Sequence, residues 1–157
     1  MERKCQIRLQ IEGDPVIYNT QEKWDLHLGK STDIFYPPMK DFESEEYPEL
    51  HGEILYPYTT FKSFDYVVSF IYVGSLLEAN AKIKELFDSL YVPVLGREDL
   101  LRAKQVTVFN DYKGVKIVGY PTSSKFSEYI WQEETGVIRF DFSLKVAKPQ
   151  LCDFNMQ

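Results

Sequence analysis

The sequence predicts an α+β fold, mainly an antiparallel β-sandwich or partial barrel, with one principal α-helix over about 75–91. Three observations carry that expectation. Apolar residues recur at every second position in several separate stretches, the period of strands that set one face on a core. A three-and-four-residue apolar period of helical type is centred on one stretch only. The strand-like stretches are separated mostly by turn residues and prolines, so six or more strands surround one helix, and the favoured arrangement is two packed antiparallel sheets.

In chain order, Cys5, Ile7, Leu9 and Ile11 alternate with Gln6, Arg8, Gln10 and Glu12, a half-buried strand that Gly13-Asp14-Pro15 ends in a turn. After Val16-Ile17-Tyr18, the alternation of Trp24, Leu26 and Leu28 against Asp25, His27 and Gly29 predicts a shorter strand with His27 pointing away from the core. Pro37 and Pro38 forbid regular pairing and open a polar excursion, MKDFESEEYPEL, before HGEILYPY returns to apolar character. Connections of that length are usually functional or ordered against a partner.

The stretch 61–93 organises the rest. Phe64, Tyr66, Val68, Phe70 and Tyr72 share one face of a strand, and Asp65 and Ser69 lie on the other. Val67, Ile71 and Val73 make that second face partly apolar, which predicts a central strand covered on both sides. Ser75 stands three residues before Glu78, the spacing of a capping box that opens a helix. A catalytic reading of Gly74-Ser75 fails, because the G-x-S-x-G elbow needs glycine where Leu77 sits. Leu76, Ala79, Ile83, Leu86, Phe87 and Leu90 share one helical face and are expected to be buried, while Glu78, Lys82, Lys84, Glu85 and Asp88 lie elsewhere. Pro93 is the expected stop, and 94–99 the connector back to the sheet. Val106 and Val108, then Val115 and Ile117, flank a hairpin loop from Asn110 to Gly114. Gly119 is the expected site of a bulge. An excursion through Pro121 and Lys125 reaches Tyr129-Ile130-Trp131. Ile138, Phe140, Phe142, Leu144 and Val146 then form the most regular strand, which Pro149 ends.

A chain of 157 residues suits a single domain, 1–157, large enough to bury a core without disulfides or metals. With 44% hydrophobic and 27% charged residues it reads as globular. Its 11 Tyr and 11 Phe suit strands and contact surfaces. The net charge of -6 argues against wrapping a nucleic-acid backbone, which needs clustered Lys and Arg. Cys5 and Cys152, near opposite ends and without metal spacing, are expected to be reduced; a bridge between the termini is the lesser reading. No signal peptide and no membrane-length apolar run is present, which predicts a soluble protein, intracellular when made, with no membrane partner.

The search for chemistry is nearly empty. The eight glycines are isolated, so neither a dinucleotide fingerprint nor a P-loop exists. His27 and His51 are the only histidines, and no H-E-x-x-H or paired Cys supplies a zinc site. Asp41, Glu43, Glu45, Tyr47 and Glu49 copy the alternating spacing of a calcium loop, but Glu46 occupies the position of the required glycine and Gly52 that of the bidentate Glu. A solvated acidic loop is therefore the default. No catalytic residue, cofactor or metal is expected. Paired carboxylates of glycosidase type have nothing to select them. Tyr and Trp rings with scattered carboxylates leave a carbohydrate-binding β-sandwich module as the alternative.

The order of elements carries a resemblance. An early strand pair, the proline-bounded loop MKDFESEEYPELHGE, the strand FKSFDYVVSFIYVG, the capped helix SLLEANAKIKELFDSLY, then VTVFNDYKGVKIVGY and the closing strand VIRFDFSLKVAKP resemble phage tail proteins. The pattern is most similar to the ring-forming N-terminal domain of siphophage distal tail proteins in prophages, itself similar in fold to tail-tube proteins. The family's H-G turn corresponds to His51-Gly52, its strand and helix to 64–90, and its D-x-x-G turn to the stretch from Asp111 to Gly114. Unlike larger distal tail proteins, this chain carries no C-terminal receptor- or carbohydrate-binding domain, which favours a plain structural ring. The resemblance implies a non-enzymatic tail-like subunit that forms a homo-oligomeric ring, with six subunits an admissible size. Other tail proteins are the further partners, and the location is the bacterial cytoplasm during assembly and then the virion tail. An acidic balance would keep such a channel from trapping DNA. The resemblance also points to the loop 38–50 as a projecting segment that carries subunit contacts. Lys40, Asp41, Glu43, Glu45 and Glu46 are costly to bury unpaired, and Phe42 and Tyr47 are expected either as interface anchors among them or, equally, as rings of a mobile surface loop that fold back onto the sandwich.

Overall fold

The computed structural model describes residues 6–46, 52–122 and 124–156, so the expectations placed on Cys5, Tyr47, Glu49 and His51 lie outside the described residues. The elements are β1 (Ile7–Ile11), β2 (Tyr18–Asn19), α1 (Thr20–Trp24), β3 (His27–Ser31), β4 (Glu43–Glu46), β5 (Glu53–Tyr56), β6 (Phe64–Ser75), α2 (Leu76–Ser89), β7 (Tyr91–Val94), β8 (Arg97–Ala103), β9 (Val106–Asn110), β10 (Val115–Pro121), β11 (Lys125–Gln132) and β12 (Thr135–Val146), followed by a 3-10 turn at Pro149–Leu151.

Among the described residues, eight strands form one hydrogen-bonded sheet: seven lie on the path β2-β1-β9-β10-β12-β6-β3, and β11 pairs with β12 off that path. All these pairings are antiparallel, and the path ends at β2 and β3 rather than closing into a barrel. The centre is the unbroken ladder of β6 with β12, from Ser75 opposite Thr135 to Phe64 opposite Val146. The path changes partners within β10. Its residues from Val115 to Gly119 pair with β9, and Tyr120 and Pro121 pair with Lys145 and Leu144 of β12. Gly119 is not a bulge. It keeps register opposite Val106, and a Cβ on it would lie 2.7 Å from the carbonyl oxygen of Lys145. Glycine is required there because the backbone of β12 passes too closely for a side chain.

The two halves of the path share one core. Leu9, Val108 and Ile117 from one half and Tyr66, Val68, Phe70, Phe140, Phe142 and Leu144 from the other are all buried in it. Asn110, also fully buried, donates through Nδ2 to the Tyr66 hydroxyl at 3.0 Å and to Ser31 Oγ at 2.9 Å, so β9 is tied across the core to β6 and β3. Its Oδ1 accepts the Lys113 N–H at 3.1 Å, which leaves the buried amide satisfied on both sides. Next to it, Asp111 receives Arg8 Nε at 2.8 Å, Arg8 Nη2 at 2.9 Å and Gln6 Nε2 at 3.0 Å. Burial opposes ionisation of Asp111, but the hydrogen bonds from Arg8 and Gln6, with the Arg8 charge, outweigh it and hold the carboxyl below the usual carboxylate range.

The main helix opens as the capping spacing predicts, with Ser75 Oγ accepting the Glu78 N–H at 3.2 Å. It closes earlier than expected. Leu90 caps it, and Pro93 sits beyond, inside β7 opposite Leu101. Ala79, Leu86 and Leu90 are buried, and Ile83 and Phe87 pack half-buried against the core. The Phe87 ring meets Phe140 at 5.9 Å, Phe142 at 6.4 Å and Phe126 at 6.5 Å, which seats the helix on the inner face of β12. Leu76 departs from the expectation of burial, since it is 45% exposed. Its N–H is held by the Glu134 carbonyl at the strand-to-helix junction, so that junction sets its direction before the helical face begins.

Four further expectations are corrected. The strand expected over 24–29 begins only at His27, because residues 20–24 form α1, where Asn19 caps the Gln21 N–H and Asp25 closes the turn at φ 53°. The connector at 94–99 belongs to a hairpin, β7 with β8, whose turn uses Gly96 at φ +80°. The excursion after Pro121 contains β11, whose alternation is hidden in the sequence by a register shift between Phe126 and Glu128. The second face of β6 is only partly covered: Ser69 is buried, Val67 and Ile71 are half-buried, and Val73 is 62% exposed. Among the described residues, no helix is long and apolar enough to cross a membrane.

Candidate assembly interface

Between the neighbouring strands β3 and β6 the chain leaves the sheet and returns as an arm. Its stem is an antiparallel bridge between Met39 and Phe61, flanked by Lys40 N–H to the Thr60 carbonyl at 3.0 Å and Lys62 N–H to the Pro38 carbonyl at 2.8 Å. The Tyr36 and Phe61 rings pack beside it, 6.1 Å apart. Beyond the stem, β4 and β5 pair, among the described residues, only with each other. The register sets Glu43 opposite Tyr56, Ser44 opposite Leu55, Glu45 opposite Ile54 and Glu46 opposite Glu53.

Opposed residues share a face, so Glu43, Glu45, Ile54 and Tyr56 form one side of the arm and Ser44, Glu46, Glu53 and Leu55 the other. All eight are exposed. The long segment is thus a hairpin rather than an irregular loop. The sequence hides it because ESEE has no apolar alternation, and it has none because neither face meets the core.

Lys40, Asp41 and Phe42 lie exposed between the stem and β4, and Glu43, Glu45 and Glu46 lie exposed on β4. The structure therefore gathers these six candidate residues on one protrusion. Tyr47, the seventh, is among the undescribed residues. Sequence reasoning missed the other strand. Ile54, Leu55 and Tyr56 are exposed on β5, and Tyr58 just after it is 85% exposed. A signal was present: the consecutive apolar residues of EILY put bulk on both faces, which a strand with one face on a core does not need.

A lone two-stranded hairpin is marginal in water. This one also sets Glu46 directly opposite Glu53, a like-charge pair that weakens it further. Where the arm leaves its stem, Lys40, Asp41, Glu43, Tyr56, Tyr58, Thr59 and Thr60 line an open cleft of ≈ 500 Å³. Among the described residues, no group of three His, Cys, Asp or Glu is placed to hold a metal ion. A second protrusion, the β7–β8 hairpin, carries Leu95 at its turn, 99% exposed.

The sequence matches no protein-family model and no curated protein. Its fold is similar to that of the Dit (gp 19.1) protein of phage SPP1, a paradigm of the hub adsorption apparatus of phages that infect Gram-positive bacteria. The two superpose with a TM-score of 0.53 at 10% identity, over 88% of this chain and 49% of that one. The chain thus spans about half the length of the solved structure it matches. The likeness to distal tail proteins, read first from the order of elements, has its counterpart in three dimensions.

Proposed function

We propose that the protein is a structural subunit of a phage tail, of distal-tail or tail-tube type, that assembles into a homo-oligomeric ring and carries out no catalysis. The observation that carries this reading is the β4–β5 arm, a hairpin with apolar residues exposed on both faces and no core beneath it. The similarity in fold to a phage hub protein supports the same reading. Side chains such as Phe42, Ile54, Leu55 and Tyr56 supply contact area once a neighbouring subunit covers them, while the carboxylates around them keep the free subunit soluble. The ring would be built by the whole chain acting as one domain, with other tail proteins bound to its ends. Assembly would take place in the bacterial cytoplasm, and the final location would be the virion tail. The net charge of -6 is suited to a channel that DNA passes without specific binding.

The test replaces the arm's apolar contacts and leaves its charges. Light scattering of the parent chain should detect an oligomer, and Phe42→Ser with Leu55→Ser should abolish it while leaving the melting temperature of the monomer unchanged, because exposed substitutions typically shift stability by less than about 0.5 kcal/mol. Persistence of the oligomer would remove the arm from the interface. A lower melting temperature would instead place these side chains against the subunit's own core. A carbohydrate-binding module is the second reading, favoured by the tyrosines and carboxylates that line the open cleft at the base of the arm. It requires saturable binding of a glycan by the monomer.

A further inference from the structure

The arm projects from the sheet, so its use in assembly depends on how firmly its root is aimed. That root is gripped from outside the sheet. The last pairing of β3 with β6 is at Ser31, opposite Val68, and the chain leaves for the arm through Thr32 and Asp33. The Ser31–Thr32 peptide is held on both sides. Its N–H donates to the Val67 carbonyl at 2.9 Å, and its carbonyl accepts Lys113 Nζ at 2.6 Å. The same ammonium lies 2.6 Å from the Asp33 carboxylate. Two opposed hydrogen bonds fix the plane of that peptide, and the plane sets the direction in which the chain departs.

Lys113 is itself anchored, by the turn between β9 and β10. Its N–H donates to Asn110 Oδ1 at 3.1 Å, the Gly114 N–H closes the turn onto the Asn110 carbonyl at 2.8 Å, and Asn110 Nδ2 reaches Ser31 Oγ at 2.9 Å. The turn thus holds Ser31 twice, through a buried amide and through a charged donor. The two contacts of the ammonium are unequal. The Lys113 side chain is 23% exposed and that of Asp33 74%, so water screens the carboxylate, and the bond to the Ser31 carbonyl is the firmer hold. Beyond Asp33, Ile34 packs half-buried against the core, and Pro37 and Pro38 each have a fixed φ. The direction set at Ser31 and Thr32 is carried in this way to the stem at Met39 and Phe61.

The core does not require this grip. Lys113 borders an open cleft of ≈ 480 Å³, lined also by Leu28, Lys30 and Tyr112, so removing its ammonium leaves the Ser31 carbonyl to water rather than to a sealed cavity. What its removal frees is the root of the arm. A neighbouring subunit would then have to order that root on docking, and fixing the backbone of one residue costs about ten-fold in an equilibrium constant. We infer that Lys113 is a positioning residue for assembly, through which the β9–β10 turn of each subunit presets the direction of that subunit's own arm. The inference rests on the proposed ring assembly and adds the residue that prepares the arm for it.

Amide hydrogen exchange and light scattering of the full chain test it together. Lys113→Met should speed exchange of the Thr32 amide roughly ten-fold and raise the concentration needed for assembly by a similar factor, at a parent-like melting temperature. Lys113→Arg keeps a charged donor and should restore both. Lys84→Met removes one positive charge from an exposed position on α2 and should change neither, which separates position from net charge. Parent-like exchange or parent-like assembly in Lys113→Met overturns the inference, as does an equal loss of assembly in Lys84→Met. A melting temperature that falls together with assembly would make Lys113 a support of the fold and overturn it as well. A parent chain that stays monomeric overturns the ring reading itself, whatever the exchange of Thr32 shows.

Discussion

Gly119 shows how much a single position can depend on a distant one. Its place inside a strand pattern marks it as special in the sequence, but a bulge and a close backbone approach look the same there. The deciding atom is the carbonyl oxygen of Lys145, in another strand, 2.7 Å from where a Cβ would stand. Gly119→Ala should therefore cost about 1–3 kcal/mol, as overpacking does, with a lowered denaturation midpoint as the readout. An unchanged midpoint would mean that β12 can move aside. Asn110 teaches the same lesson through polarity. Read locally, it opens the turn toward Gly114. In the folded chain it is fully buried and holds Tyr66 and Ser31 together across the core. Both residues have local signatures that are correct and incomplete.

Helix α2 was the most legible element, because its cap and its apolar face lie within one continuous stretch. Leu86→Ala, at a fully buried position on that face, should cost about 2–5 kcal/mol, checked by chemical denaturation; a parent-like midpoint would contradict its burial. Leu76 fits the helical period but not the burial, since the junction with β6 positions it first. Three of the missed strands lack a readable period, for two reasons. Strand β11 has its period broken by a register shift, and β4 and β5 have no buried face to impose one. Periodicity reports contact with a core, so an element that projects from the core leaves little trace of itself. The candidate interface was consequently legible as an acidic excursion with aromatic residues, and illegible as a hairpin.

In the whole molecule, the strands that could be read directly, β1, β6 and β12, lie within the path, while the poorly read ones lie at its edges or off it. That distribution explains why the fold class emerged from the sequence and the arm's partner did not: the core is recorded in this chain's own pattern, and a surface shared between copies is recorded only as exposed apolar residues without cover. The topology also has a kinetic side. Arg8 and Asp111 meet across 103 residues of sequence, and β6 pairs with the last strand of the sheet. Contacts so far apart make folding slow, on the millisecond-to-second scale, and stopped-flow refolding should give a rate in that range rather than in microseconds. During synthesis the delay is longer still. At ribosomal speed, the aromatic face of β6 waits on the order of several seconds for β12 to emerge. The most vulnerable period for this protein is thus its birth, when the surface destined for its own core is open to any passing strand.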